Sequence, residues 1–151
     1  MKVLYDHQIF IYQDFGGISR YFYELMNAFE KDKDIGFDLA LAYSNNHYIE
    51  KARFVKSKPL FKTRKFKGKN RLLHYLNMRG ERKLLLGKDF DIFHPTYFNP
   101  YFLEYLGDKP FVLTIYDMVY ELFPQIYSPR DKTGVYKKLL APKATKIIAI
   151  S

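Results

Sequence analysis

The sequence predicts an α/β fold, a parallel sheet with helices on both faces, and three observations predict it. Short apolar runs alternate with amphipathic helical segments along most of the 151 residues, the order that builds parallel sheets from strand-helix-strand units. Glycine or proline breaks the chain between them, at Gly16-Gly17, Gly36, Gly87, Pro95, Gly107 and Pro110. A hydrophobic content of 48% suffices for one compact core, while the length is short for two domains.

Residues 2–5 form a first short apolar strand. After Phe15-Gly16-Gly17, residues 18–30 place Ile18, Tyr21, Phe22, Leu25, Met26 and Phe29 at helical spacing. Gly36 closes the next turn, and residues 37–42 make a second strand. Residues 72–86 read as a helix, with Leu72, Leu73, Leu76, Leu84 and Leu85 among Arg and Lys and Gly87 at its end. Residues 91–94 give a third strand, stopped by Pro95, and residues 101–106 a short helical stretch ending at Gly107. The most strand-like run, residues 111–116, follows Pro110 and is rich in β-branched residues. A helix over 132–140 leads through Pro142 to a last, buried strand over 146–150. A doubly wound domain normally continues from such a strand into another loop and helix, so more of the domain is expected to follow it.

Cysteine is absent, which rules out a disulfide framework or a thiolate metal site and suits a reducing cytoplasm. Met1-Lys2-Val3-Leu4-Tyr5 runs directly into Asp6 and His7, leaving no room for a signal-peptide core, and no run reaches membrane-spanning length. A soluble, cytoplasmic chain is expected. The net charge of +9 is concentrated: residues 51–71 hold ten Lys or Arg and no acid, leaving 15 basic against 16 acidic groups elsewhere. Phe54, Leu60, Phe61 and Phe66 interleave with those charges, a mixture suited to anionic headgroups on the inner face of the plasma membrane, where each basic group contributes about 1 kcal/mol. Lys62, Arg64, Lys65 and Lys67 are the residues assigned to that membrane or acceptor surface. A solvated loop is the plainer reading of the same run. No nucleic-acid motif accompanies it, so nucleic acid is not an expected partner.

Ligands of open parallel sheets bind just past the strands' carboxyl ends, which selects residues 13–20, 43–46, 94–99 and 116–121. Gly16-Gly17 before a helix offers open backbone N–H groups to a phosphate, with Arg20 one turn further on. It is not the G-x-G-x-x-G dinucleotide fingerprint, and taken alone a tight turn feeding a helix is the plainer reading. His94 follows the third strand and Tyr116-Asp117 the fourth. Asp117 could take a sugar hydroxyl, act as a base, or cap the turn. His7, at the exit of the first strand, is ambiguous in the same way, and His47 and His74 receive no role. Asp89-Phe90-Asp91 spells a metal-binding D-x-D, but at the wrong end of its strand, so no metal is expected.

Four segments carry a family resemblance: Phe15-Gly16-Gly17-Ile18-Ser19-Arg20-Tyr21, Phe90-Asp91-Ile92-Phe93-His94-Pro95, Val112-Leu113-Thr114-Ile115-Tyr116-Asp117-Met118 and Ala144-Thr145-Lys146-Ile147-Ile148-Ala149-Ile150-Ser151. In this order and spacing the chain resembles the N-terminal, Rossmann-like half of retaining GT-B glycosyltransferases of family 4. The resemblance implies a cleft enzyme whose N-terminal domain presents the acceptor while a C-terminal domain, with the donor-binding Arg, Lys and paired glutamates, grips a nucleotide-sugar. It implies no metal and no cofactor beyond that donor. Gly16 and Gly17 would lie against the donor diphosphate and acceptor, with Arg20 as an anion contact and His94 in the substrate region. The family often has His where this sequence has Tyr116, so Tyr116 is carried over as a sugar contact with Asp117 beside it.

The leading expectation is therefore sugar transfer from a nucleotide-sugar to a saccharide or lipid-linked acceptor, in surface polysaccharide or glycolipid synthesis. A non-catalytic, flavodoxin-like nucleotide or anion-binding module, and a basic membrane-docking adaptor, are the alternatives.

Overall fold

The computed structural model describes residues 1–64 and 66–150; Lys65 and Ser151 lie outside the described residues. The apolar run after Met1 becomes β1 (Lys2–Tyr5), followed by a one-turn helix α1 (Gln8–Tyr12) and then α2 (Gly17–Phe29). The chain continues as β2 (Gly36–Leu39), α3 (His47–Lys51), α4 (Lys69–Gly87) and β3 (Ile92–His94). A 3-10 turn, Pro100–Phe102, opens α5 (Leu103–Leu106); β4 (Val112–Ile115), α6 (Val119–Leu122), α7 (Thr133–Leu140) and β5 (Lys146–Ala149) complete it.

All strand pairs are parallel. β1 is central in the order β2-β1-β3, with Val3 opposite both Phe37 and Ile92. β4 and β5 form a second pair, Val112 opposite Lys146. One bridge, Phe93 to Phe111, joins the two pieces, and the Phe93 N–H donates to the Pro110 carbonyl at 3.0 Å. Reading across gives 2-1-3-4-5, an order that reverses direction at β1, and ligands of such sheets bind beyond the carboxyl ends at that switch. The protein is mixed α/β with parallel strands, as its sequence predicts.

Packing explains why β1 is central: Val3, Leu4 and Tyr5 are all buried, the mark of a strand covered on both faces. Phe22 and Met26 of α2 and Leu73 and Leu85 of α4 are fully buried in the same core. The α2 helix lies against β2 and α3, and α4 against α1 and α5.

Several boundaries differ from the sequence reading. The α4 helix starts earlier than residue 72, because Gly68, at φ 92°, turns the chain so that Lys69 can begin it. It ends at Lys88, at φ 56°, rather than by a glycine cap; the Lys88 ammonium donates to the Tyr105 and Leu106 carbonyls at 2.7 and 2.5 Å. The β2 strand stops at Leu39, since the Ala42 and Tyr43 N–H groups donate to the Asn77 side-chain oxygen on α4 instead of continuing the ladder. The last strand is not buried: all four residues of β5 are exposed, Ile147 by 47% and Ile148 by 37%, because β5 is the sheet's outer edge with only β4 beside it.

Candidate functional site

At the switch point the segments following β1 and β3 are fastened together by one carboxylate and one amide. Asp6, fully buried, accepts from the Thr96 N–H at 2.9 Å, the Thr96 hydroxyl at 2.5 Å and the Gln8 side-chain amide at 2.6 Å. Gln8 accepts from the Asn99 N–H at 2.8 Å and donates to the Asn99 carbonyl at 3.0 Å. Burial raises the Asp6 carboxyl to about 6, and nearby Glu81 adds to this, while the Thr96 bonds pull the other way.

The loops so fixed wall a cleft of about 390 Å³. The first contributes Tyr12 and Gln13, the second Tyr97 and Asn99, and the chain after β4 contributes Tyr120 and Asp131. The Tyr12 and Tyr97 rings meet edge to face at 5.7 Å, and the Tyr120 hydroxyl donates to Asp131 at 3.0 Å. Burial raises all three phenols, Tyr120 to about 12, so each stays a neutral donor in the physiological range. Three aromatic faces, two amides and a carboxylate, with no cation in the wall, suit a polyhydroxylated ligand better than an anion.

The Gly16-Gly17 loop borders this cleft. Because the Gly36 N–H bonds back to the Met1 carbonyl, α2 must return the chain to the amino end of β1, which puts its first residue, Gly17, at the carboxyl edge. Gln13 spans the two features: it lines the cleft, and its side-chain oxygen accepts from the Ser19 N–H at 3.2 Å in the first turn of α2. Arg20 is exposed and lies 3.7 Å from Glu24 on the solvated face.

His94 and Tyr116 share that edge but make interior contacts. The His94 ring, 4% exposed, sits against Tyr5 and Phe22, with Nε2 2.8 Å from the Thr114 hydroxyl, and burial lowers its pKa to about 4. The Tyr116 hydroxyl donates to the Thr96 carbonyl at 2.9 Å, and its ring packs on Phe98 and Phe22. Tyr116 therefore supports the Thr96 side of the fastening, whereas His94 ties β3 to β4 within the core. Asp117 is half exposed and accepts from the Val119 N–H at 3.1 Å, at the opening of α6. The D-x-D segment binds Lys2: its backbone N–H donates to Asp91 and its ammonium to Asp89, each at 2.7 Å.

The basic segment divides. Phe54 turns inward, onto Phe37 and Tyr23, whereas Phe61 and Phe66 stay exposed with their rings 5.4 Å apart. Lys62 pairs with Glu50 at 2.7 Å, and Arg64 and Lys67 are exposed. The assignment of Lys65 falls outside the described residues.

Sequence reasoning missed the groups behind His7. Its Nδ1 lies 2.5 Å from Glu81 and its Nε2 2.8 Å from Nδ1 of His74; the Tyr101 hydroxyl donates to the other Glu81 oxygen at 2.5 Å. Burial raises Glu81 to about 8 and lowers His7 and His74 to about 4. His7 and Glu81 thus form a neutral hydrogen bond, not an ion pair. A signal was available: the buried residues of α4 are Leu73, Asn77, Glu81 and Leu85, spaced by four, so two polar side chains lie in the stripe facing the core.

The fold and cleft define a parallel α/β protein with a tyrosine-lined site at the topological switch point. Comparison of the chain with protein-family models, with curated proteins and with solved structures returns no match. Among the described residues no helix is long and apolar enough to cross a membrane, and no three His, Asp or Glu side chains are grouped to hold a metal ion.

Proposed function

We propose that this chain is the acceptor-side, N-terminal domain of a metal-independent GT-B glycosyltransferase of the family 4 kind, transferring sugar from a nucleotide-sugar to a saccharide or lipid-linked acceptor. The observation that carries the reading is the cleft at the switch point, lined by Tyr12, Tyr97 and Tyr120 with Asn99, Gln13 and Asp131. Aromatic faces stack on sugar rings while the amides and the carboxylate take hydroxyls. In this reading Gly16 and Gly17 turn open backbone toward the donor diphosphate, Arg20, exposed beside Glu24, is a cation near it, and the exposed edge of Asp117 takes a hydroxyl. Tyr116 holds the loop after β3 in place beneath, and His94 packs in the core at the same edge. The partner C-terminal domain supplies the remaining positive groups, and Lys62, Arg64 and Lys67 face an anionic membrane bearing the acceptor.

The strand order 2-1-3-4-5 favours a second reading, a flavodoxin-like anion-binding module. Saturation-transfer NMR separates the two, using mono- and oligosaccharides against UDP and GDP, on the wild-type chain and on Tyr97→Ala and Asp131→Asn. Saccharide signals that both substitutions abolish support the acceptor domain. Nucleotide signals that survive both, with no saccharide signal, overturn it in favour of the module.

A further inference from the structure

Beside α4 lies a second hollow of about 460 Å³, sharing no residue with the tyrosine cleft. His74, Tyr75 and Tyr105 line it, and Arg71, Arg79 and Arg82 complete its wall. The Arg79 guanidinium lies 5.8 Å from the Tyr75 ring centre and that of Arg82 5.1 Å from Tyr105, contacts that hold both cations at the hollow. No carboxylate lines it, and among the described residues none of the three arginines is in an ion pair. Three cations, two of them held against aromatic faces, fit a phosphate carried on an apolar or planar body.

The fourth grip is His74. Its Nδ1 is taken by His7, which leaves Nε2 without a partner among the described residues on a ring that lines the hollow. Whether Nε2 donates follows from counting hydrogens along Glu81–His7–His74. Two neutral imidazoles carry one hydrogen each, and a protonated Glu81 carries a third. Three hydrogens fill the Glu81–His7 contact, the His7–His74 contact and Nε2, which then donates into the hollow. With Glu81 ionised only two remain, both are needed in the contacts, and Nε2 presents a lone pair to the ligand.

We propose that this hollow is a phosphate-binding site, gripped by Arg71, Arg79 and Arg82 and by the N–H of His74, with the buried Glu81–His7 pair setting whether that nitrogen donates. The other titratable groups facing the chain are Asp6 and Tyr101: Tyr101 donates to both Glu81 and Asp6. Burial keeps Glu81 protonated up to about pH 8, so the donating form prevails at neutral pH. A phosphate monoester such as phenyl phosphate, with a second pKa of about 6, is a dianion across that range. Its loss of affinity above pH 8 then reports the buried chain. The site stands apart from the acceptor reading, and either can fail without the other.

Calorimetric titration of the chain with phenyl phosphate, inorganic phosphate and phosphatidylcholine vesicles with or without phosphatidic acid, at pH 7 and pH 9, tests it. Wild type should bind phenyl phosphate at pH 7 and bind it about tenfold more weakly at pH 9, the loss of one charge-assisted hydrogen bond. Arg79→Gln/Arg82→Gln, at two exposed positions, should lose at least about tenfold at pH 7. Glu81→Gln, whose amide donates to His7 as the protonated acid does, should bind equally at both pH values. Binding of phenyl and inorganic phosphate identifies a soluble ligand; binding only to phosphatidic acid vesicles identifies a lipid phosphate. Should Glu81→Gln fail to fold, nitrogen-15 NMR of the wild-type histidines serves, with His74 Nε2 protonated at pH 7 and bare at pH 9. Equal binding by the double arginine variant, equal wild-type binding at the two pH values, or an unchanged His74 tautomer overturns the proposal.

Discussion

His7 and Glu81 stand 74 positions apart in the chain and meet at 2.5 Å, with no exposure of either side chain. One comes from the loop that leaves β1 and the other from the middle of α4, so the contact locks a long helix onto the carboxyl edge of the sheet. Burying an ion pair there would carry a desolvation cost of several kcal/mol per ion. Burial instead drives both groups to their neutral forms, Glu81 upward and His7 downward.

Stability should therefore fall between about pH 7.5 and pH 8.5. Glu81, raised to about 8, binds a proton in the folded state that it has lost when unfolded, so folding weakens as pH rises towards and through that value. Asp6, raised to about 6, has finished the same loss below it. His7, His74 and His94, lowered to about 4, act oppositely: they add stability as pH rises through the unfolded-state imidazole value of 6.5, and their slope fades only about one pH unit above it. Glu81 dominates the upper window, and one proton limits the slope to about 1.4 kcal/mol per pH unit. Thermal melts should show Tm falling from about pH 7.5 to 8.5 in wild type and not in Glu81→Gln. A wild-type Tm that rises across this interval would contradict the assignment.

The two glycines at the head of α2 should respond differently to alanine. A Cβ at Gly16 would collide with the Gln13 side chain, whereas one at Gly17 meets nothing within 4 Å. Gly16→Ala must displace Gln13 and break its bond to the Ser19 N–H, at a cost of about 1 kcal/mol. Gly17→Ala should add about 0.4–1 kcal/mol by restricting the unfolded chain. Urea denaturation of both variants measures this. A Gly17→Ala protein that is stabler but loses donor contact would show that a ligand approaches its backbone.

Periodicity and breakers made the parallel α/β plan legible, because β1, β3 and β4 are short apolar runs separated by helical segments and by glycine or proline, β3 ending directly at Pro95. The edge position of β5 was not legible: Lys146–Ala149 has the composition of a covered strand, and exposure depends on what packs beside it. The short α1 and α3 were missed because one turn is too brief to show a period; α3 is held by Asn46, whose side chain accepts from the Tyr48 and Ile49 N–H groups. At the site, the stretches just past the strands contain Gln13, Tyr97, Asn99 and Tyr120, but the residues singled out within them were Gly16, Gly17, Arg20, His94, Tyr116 and Asp117, and Asp131 arrives through a loop whose path no local signal predicts. His74 and Glu81 were hidden by reading α4 as a leucine helix.

The basic segment should bind anionic vesicles in a salt-sensitive manner. Lys62 is partly neutralised by Glu50, which leaves Arg64, Lys67 and their neighbours to supply the attraction, beside the exposed rings of Phe61 and Phe66. Each basic group near such a surface contributes about 1 kcal/mol, and the field fades beyond about 8 Å at physiological salt. Sedimentation with phosphatidylserine vesicles should pull down wild type and release it as salt is raised. Changing Lys56, Lys58, Lys62, Lys65 and Lys67 to Gln should abolish the effect; equal sedimentation of both proteins would eliminate the membrane surface as a partner.

Lys137 should prove the most sensitive charged residue of the C-terminal half. It lies on α7 with 4% of its side chain exposed, donating to the Asp117 carbonyl at 2.7 Å and to Glu121 at 2.8 Å. Its ammonium also sits 5.6 Å from the Phe98 ring centre and 5.8 Å from that of Tyr120. One cation thus ties α7 to the segment that places Tyr120 in the cleft. Lys137→Met keeps the volume but strands the Glu121 carboxylate, which is 18% exposed. Removing one partner of a fully buried pair costs about 3–5 kcal/mol, and partial hydration of Glu121 should bring this nearer about 2–3 kcal/mol. Glu121→Gln added to Lys137→Met should recover part of the loss, because a neutral amide tolerates the site better than an unpaired charge. Denaturation midpoints of the single and double variants give the coupling. Hydrogen exchange should show residues 117–122 opening in Lys137→Met while β1 and β3 remain protected, since their fastening runs through Asp6 and Thr96 and not through α7. Equal protection of residues 117–122 in both proteins would mean that the ring contacts alone hold this side of the cleft.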